Sequence, residues 1–270
     1  MRWKHALVSL LAVAGSAAPA LAAEPYEIGA KVADIAAKDM QGRDFRLYGL
    51  SATKQTAWAE VLAVAKEYLA PADAKPTTTL ASLPGVKGDD GVVDAGKVAE
   101  LVGTAGARFA LVSDEKVAAG MKTLGDVAAW IEKGARAPIV IHVWSPRCPM
   151  CKAYDERIVD AMVTTGARFV TVAANYPDTD QHYKDYLEGL GFHWLVIPDR
   201  EQKINDLFGG TNTPHVFVLD ADYVLRYRGA VDDDPKATKE ESERTNYLLD
   251  AIEAVKAGKK VEVPSTEPVG

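Results

Sequence analysis

The sequence predicts an α/β protein whose second half, residues 136–270, builds a central sheet covered by helices on both faces. Three observations predict it. Strand-like and helical patterns alternate from Pro138 to Lys256. The only two cysteines of the chain fall together in Cys148-Pro149-Met150-Cys151, after an apolar strand and at the start of a helix. Of the 270 residues, 48% are hydrophobic and 26% charged, a composition that excludes a disordered or fibrous chain.

Residues 1–22 read as a secretory signal peptide. A basic start, Met1-Arg2-Trp3-Lys4-His5, precedes an apolar run from Ala6 to Ala14, and Ala20-Leu21-Ala22 supplies small residues for cleavage. An uncleaved anchor is disfavoured because Ser9, Gly15, Ser16 and Pro19 interrupt the apolar stretch, whereas spanning takes about 20 apolar residues. No cysteine lies near the cleavage region to carry a lipid. The mature protein is therefore expected to be periplasmic or secreted, without stable membrane insertion. A formal net charge of −7 and no basic block argue against nucleic acid or an anionic membrane as partner.

Residues 23–50 are expected to hold a small hairpin turning at Gln41-Gly42-Arg43. From Lys54 to Leu69 the residues Ala57, Val61, Leu62, Ala65 and Leu69 recur at helical spacing, with Pro71 as the stop. The Pro- and Gly-rich stretch 71–91 is expected to be irregular and exposed. A helix follows over Ala95–Val102, then a buried strand at Phe109-Ala110-Leu111-Val112 and a helix from Leu124 to Lys133. Residues 51–135 thus read as an α/β insertion or subdomain, with no residue in it that suggests chemistry.

The second half reads more clearly. Strands are expected at 138–144, 168–173, 194–197, 215–219 and 224–227, with helices at 151–163, 180–190 and 201–207. Asp220-Ala221-Asp222 marks a tight turn between the last two strands. A long helix over 239–256 closes the domain. Trp58, Trp130 and Trp194 are read as packing residues, Asp232-Asp233-Asp234 as a solvated loop, and Lys236 to Arg244 as an exposed helix start.

Disulfide staples span wide sequence separations, because closing a longer loop constrains the unfolded chain more. A bridge from Cys148 to Cys151 has little such value, so reactivity explains the pair better. At a helix start, unpaired N–H groups and the helix dipole favour negative charge. Pro149 suits the first helical turn, and Arg147 and Lys152 add positive potential. Such surroundings lower a thiol pKa from about 8.5. Cys148 is therefore the expected attacking thiol, and Cys151, one turn on, the resolving thiol. No metal is assigned. A structural zinc site needs two further ligands, and only His142, His182, His193 and His215 are on offer.

Trp144-Ser145-Pro146-Arg147-Cys148-Pro149-Met150-Cys151-Lys152 resembles the active-site signature of the thioredoxin superfamily. Asn212-Thr213-Pro214-His215 looks like that superfamily's second signature loop. The separation between the two signatures is similar to that of the longer redoxin branch of exported reductases and peroxiredoxin-like proteins. Tyr227 to Asp233 and the ending Val261 to Gly270 also look like bacterial redoxin-domain proteins. The resemblance covers residues 136–270 and implies a thioredoxin-like fold with a central mixed sheet. It implies a redox-active Cys148–Cys151 disulfide in place of any cofactor, and a cis Pro214 that presents the backbone of Thr213 to an extended substrate segment. It further implies protein thiols or disulfides and a redox partner protein as partners.

Two departures from the superfamily pattern matter. His142 stands six residues before Cys148, where thioredoxins often carry a buried aspartate that moves protons. A histidine with a pKa nearer neutrality serves the same purpose; a core histidine bonded to backbone is the alternative. Ser145 matches a peroxiredoxin position, but Ile141 replaces the loop proline. The leading function is thiol-disulfide exchange. Thiol-dependent peroxide reduction stands second, and a copper-binding chaperone using the thiolates with His215 or His142 stands third.

Overall fold

The computed structural model describes residues 24–88, 90–176, 178–190 and 194–270. The signal-peptide segment 1–22 lies outside the described residues. A five-stranded mixed sheet forms the centre, made by β3 (Ile139–Val143), β4 (Arg168–Ala173), β5 (Leu195–Pro198), β6 (His215–Leu219) and β7 (Leu225–Gly229) in the order β5-β4-β3-β6-β7. β3, β4 and β5 run parallel, while β6 pairs antiparallel with β3 and β7. Every residue of β3, β4 and β6 is buried, which is why these strands read as largely apolar runs, broken only by His142, Arg168, Thr171 and His215.

Side chains alternate across the sheet. Val140, Phe169, Val216 and Val218 pack against α5 (Pro149–Thr164) and α8 (Tyr247–Lys256) through Tyr154, Ile158, Met162, Leu248 and Ile252. On the other face, Ile139, Ile141, Val170, Val172 and Phe217 pack against Ile204 and Phe208 of α7 (Lys203–Phe208). The N-terminal segment joins that face through Val32, Ile35, Phe45, Leu47 and Leu50. Its hairpin, β1 (Ala36–Lys38) and β2 (Asp44–Arg46), turns as expected through Gly42, whose φ of 76° favours glycine. This is a thioredoxin-like fold. No helix among the described residues is long and apolar enough to cross a membrane.

Residues 51–135 enclose a core of their own. It is formed by α1 (Lys54–Ala65), α2 (Ala95–Ala107), α3 (Glu115–Ala119) and α4 (Leu124–Gly134), with Val61, Leu101, Val102, Leu124, Val127 and Ile131 fully buried. Thr53 and Thr123 start α1 and α4 with capping boxes.

The secondary structure corrects the sequence reading in several places. α1 stops at Ala65, where Tyr68 N–H turns back to the Ala65 carbonyl, so Pro71 is not its terminator. α2 runs on to Ala107. The stretch 71–91 is irregular, yet Leu80, Leu83 and Val86 are buried in the core of this segment. Phe109 to Val112 is buried but is not a strand, because Ala110 adopts a φ of 58° and breaks any extended run. Its members divide between cores: Phe109 and Leu111 pack among the four helices, and Ala110 and Val112 pack on the two faces of the sheet. The run is a plug joining the two halves, and hydrophobicity alone does not distinguish a plug from a strand.

The expected helix over 239–256 is also shortened, to α8 preceded by a 3-10 turn at Glu241–Glu243. The acidic triplet is responsible. Asp232 and Asp234 are buried rather than solvated. Asp234 accepts from the N–H groups of Thr238 and Lys239, and Asp233 N–H donates to the Thr245 carbonyl. Asp232 accepts from the Tyr154 hydroxyl at 2.9 Å and is paired with the Arg157 guanidinium, with Arg244 3.4 Å from Asp234. These bonds hold 232–245 as a loop.

Candidate active site

β3 delivers the site. Its apolar run ends at Trp144, and the chain turns through Ser145-Pro146-Arg147 into α5. Cys148 is the N-cap of α5 and Pro149 occupies its first turn, as the sequence predicts. The Cys148 side chain is partly exposed, while Cys151 is 1% exposed; both are free thiols. From the far side, the loop before β6 brings Thr213 and Pro214, joined by a cis peptide bond. Cys148 Sγ lies 3.1 Å from the Thr213 carbonyl oxygen.

The two thiols differ electrostatically. Burial works against ionisation of Cys148, but bonding from the Thr213 side chain and from the N–H groups of Cys151 and Met150 outweighs it, so its pKa falls below the ordinary thiol value. Those N–H donors are the unpaired groups of the first helical turn. Burial pushes the Cys151 thiol far above its ordinary value, and the nearby Cys148 adds to the effect. Cys148 is therefore the more readily ionised sulfur, and Cys151 is the one held as a thiol.

Trp144, Cys151, Ala173, Tyr183 and Val196 are buried together, and Cys148, Met40 and Tyr186 pack against them. The Trp144 indole Nε1–H donates to Asp155 Oδ1 at 3.1 Å, and the Tyr186 hydroxyl donates to Asp155 Oδ2. Burial raises the Asp155 carboxyl pKa to about 6, against the lowering bond from Trp144. Sequence reasoning missed this residue; its place one helical turn after Cys151 was the available signal. It also missed the support beneath the turn. Ser145 Oγ donates to Asp178 at 2.5 Å and accepts from the Arg147 N–H and from Asn175 Nδ2. No spacing rule links positions 145, 175 and 178, because folding alone brings these loops together.

His142 is buried in β3, opposite Thr171 and Val216 in register, with Nδ1 3.5 Å from Thr171 Oγ1. Burial pushes its pKa down to about 3, which favours the second of the two readings, a core histidine, with the Thr171 hydroxyl rather than backbone beside its Nδ1. The same cause, with Arg228 nearby, brings His215 to about 4, and its ring stacks on Phe217 at 4.3 Å. Among the described residues no group of three or more His, Cys, Asp or Glu side chains converges as metal ligands.

No family model matches the sequence. The chain is similar to the thiol:disulfide interchange protein DsbE of Escherichia coli (strain K12), 30% identical over 105 residues, which are 38% of this chain and 55% of that protein. It is 31% identical over 96 residues to the DsbE of Yersinia pestis, covering 35% of this chain and 50% of the relative. The chain thus spans about half the length of these curated relatives. Among solved structures, the hypothetical protein SMc02350 from Sinorhizobium meliloti 1021 aligns over 91% of this chain and 94% of its own, with a TM-score of 0.50 and 17% identity, a likeness of fold.

Proposed function

We propose, from the premise that this chain carries a redoxin domain of the thioredoxin superfamily, that it is an exported thiol-disulfide oxidoreductase acting on other proteins. The observation that carries the reading is the asymmetry of the pair: Cys148 at the α5 N-terminus with a lowered pKa, one turn before a buried Cys151 with a raised one.

The Cys148 thiolate attacks one sulfur of a substrate disulfide. A Cys148–substrate disulfide forms, and the second substrate sulfur leaves as a thiolate and takes up a proton. Cys151 then loses its proton and attacks Cys148 Sγ. The Cys148–Cys151 disulfide forms, the first substrate sulfur leaves as a thiol, and two electrons have passed to the substrate. Run backwards with a dithiol partner of lower reduction potential, the same steps oxidise that partner. Nucleophile and mixed disulfide share one helical turn, so the second attack is intramolecular. The burial that raises the Cys151 pKa keeps that thiol out of competing reactions until the mixed disulfide forms. The Thr213 backbone lies beside Cys148 and is the edge along which an extended substrate segment pairs.

Protein-disulfide turnover by the purified protein tests this reading. The parent is expected to exchange disulfides with a protein substrate, and Cys148→Ser to fall to the uncatalysed background. Turnover retained in Cys148→Ser overturns the assignment.

The peroxidase reading gains no support from Ser145, whose hydroxyl is committed to Asp178. The copper reading gains none from His215, whose ring is buried against Phe217.

A further inference from the structure

Residues 264–270 continue past α8 and run beside β7, the edge strand of the main sheet. Ser265 bridges Arg228 in parallel, with Arg228 N–H donating to the Pro264 carbonyl at 3.1 Å and Thr266 N–H to the Arg228 carbonyl at 3.1 Å. The Thr266 hydroxyl lies 2.7 Å from the Tyr227 hydroxyl and accepts from Ala230 N–H at 2.9 Å. The approach is close enough to dictate a residue type. A Cβ on Gly229 would stand 2.1 Å from Thr266 Oγ1, and the φ of 143° there favours glycine as well.

From that anchor the segment reaches the catalytic loop. Asn212 Nδ2 donates to the Gly270 carbonyl at 3.1 Å. A Cβ built on Gly270 would lie 2.6 Å from the Thr213 carbonyl oxygen and 3.1 Å from its nitrogen. The Thr213 carbonyl is the group that faces Cys148 Sγ. The segment therefore rests on the backbone edge that a substrate chain would use.

We propose that residues 267–270 are a strap over the Thr213 backbone, which must be displaced before an extended substrate segment can pair there beside Cys148. The proposal rests on the oxidoreductase reading for its substrate class, but its geometry is independent of turnover. An extended segment pairs with Thr213 at about 5 Å between neighbouring backbones, which is the space the strap occupies. Displacing the strap costs the Asn212–Gly270 bond and the contacts on Thr213.

The test compares the parent with two variants. A chain ending at Thr266 removes the strap and keeps its anchor; Thr266→Val keeps every residue but removes the hydroxyl that fastens the anchor. Labelling of Cys148 is followed with a small reagent, iodoacetamide, and a bulky one, a polyethylene-glycol maleimide. The bulky rate is expected to rise about fivefold in Thr266→Val, the population shift set by one net hydrogen bond, and at least as much in the truncated chain, while the iodoacetamide rate stays within twofold in both. An unchanged bulky rate overturns the strap, and so does an equal rise of both rates, which would place its effect on thiol reactivity. Turnover of a folded and of an unfolded protein disulfide is read in parallel. If neither is turned over by any of the three proteins while the labelling ratio shifts, the oxidoreductase reading falls and the strap stands.

Discussion

Cys148 Sγ and the Thr213 carbonyl oxygen, 65 residues apart in sequence, lie 3.1 Å apart in space. That contact brings the start of α5 and the entry to β6 to a single point. It sets Cys148, the proposed nucleophile, beside the backbone that leads into β6, and it places the Thr213 side chain among the groups that lower the Cys148 pKa.

The first prediction concerns ionisation. Because Cys148 has a depressed pKa, its alkylation rate should reach half-maximum at a lower pH than that of a free cysteine measured under the same conditions. Cys151 should remain unlabelled over the same range, since burial raises its pKa and covers its sulfur. Rate against pH, with the labelled peptide identified by mass, checks both statements. A midpoint at or above that of a free cysteine would remove the basis for a poised thiolate.

A second prediction separates attack from resolution. Cys151→Ser leaves the nucleophile in place and removes the group that releases it, so a Cys148–substrate disulfide should accumulate. On a non-reducing gel this appears as a covalent adduct, absent from the Cys148→Ser protein. Loss of turnover should be at least about 100-fold, as expected when an intramolecular attack is replaced by one from solution.

His142 yields a pH prediction for stability. Its pKa is depressed in the folded chain to about 3 and is near 6.5 unfolded. Above pH 6.5 both states are neutral at this site and it has no effect. As pH falls from 6.5 towards 3, the unfolded chain binds a proton that the folded chain does not, so stability falls, by at most about 1.4 kcal/mol per pH unit. Denaturant unfolding of His142→Leu should show a flatter acid limb between pH 6 and pH 4 than the parent. Identical limbs would mean that His142 is not desolvated as described.

Asp232 is the strongest candidate for a structural role outside the site. Its carboxylate is buried, paired with Arg157 and bonded by Tyr154 and by the Asp234 N–H at 2.8 Å. Asp232→Ala leaves the Arg157 charge partly buried without that partner, and about 3–5 kcal/mol of stability should be lost. Chemical denaturation measures it; a loss under about 1 kcal/mol would place the network among exposed ion pairs that contribute little.

Much of this molecule was legible in the sequence. Runs such as Arg168 to Ala173 and His215 to Leu219 mark their strands residue for residue, because a strand buried on both faces leaves an apolar block with sharp ends. Asp180–Leu190 carries helical periodicity of its own. The position of Cys148 was legible for the same local reason: a strand, two cysteines and a proline within one turn define a helix N-terminus, and the N–H groups of that terminus act on the sulfur beside them.

What the sequence could not determine depends on partners distant along the chain. Local pattern assigns Phe109 to Val112 to a strand, since a plug shared between cores has the same hydrophobicity. Charge assigns Asp232 and Asp234 to solvent, since their partners Tyr154, Arg157 and Arg244 are fixed only by packing. Position alone leaves His142 open between a proton carrier and a core histidine, and burial in β3 decides for the second by removing the water that would stabilise the cation. The sequence by itself determined the elements of the sheet and the asymmetric thiol pair, because both arise from interactions within a few residues. Tertiary structure alone decided what surrounds the pair: the Thr213 carbonyl at the sulfur, Asp155 behind Trp144, and residues 264–270 running beside β7 to Asn212 and Thr213. Each of these depends on folding to bring together groups that the chain keeps apart.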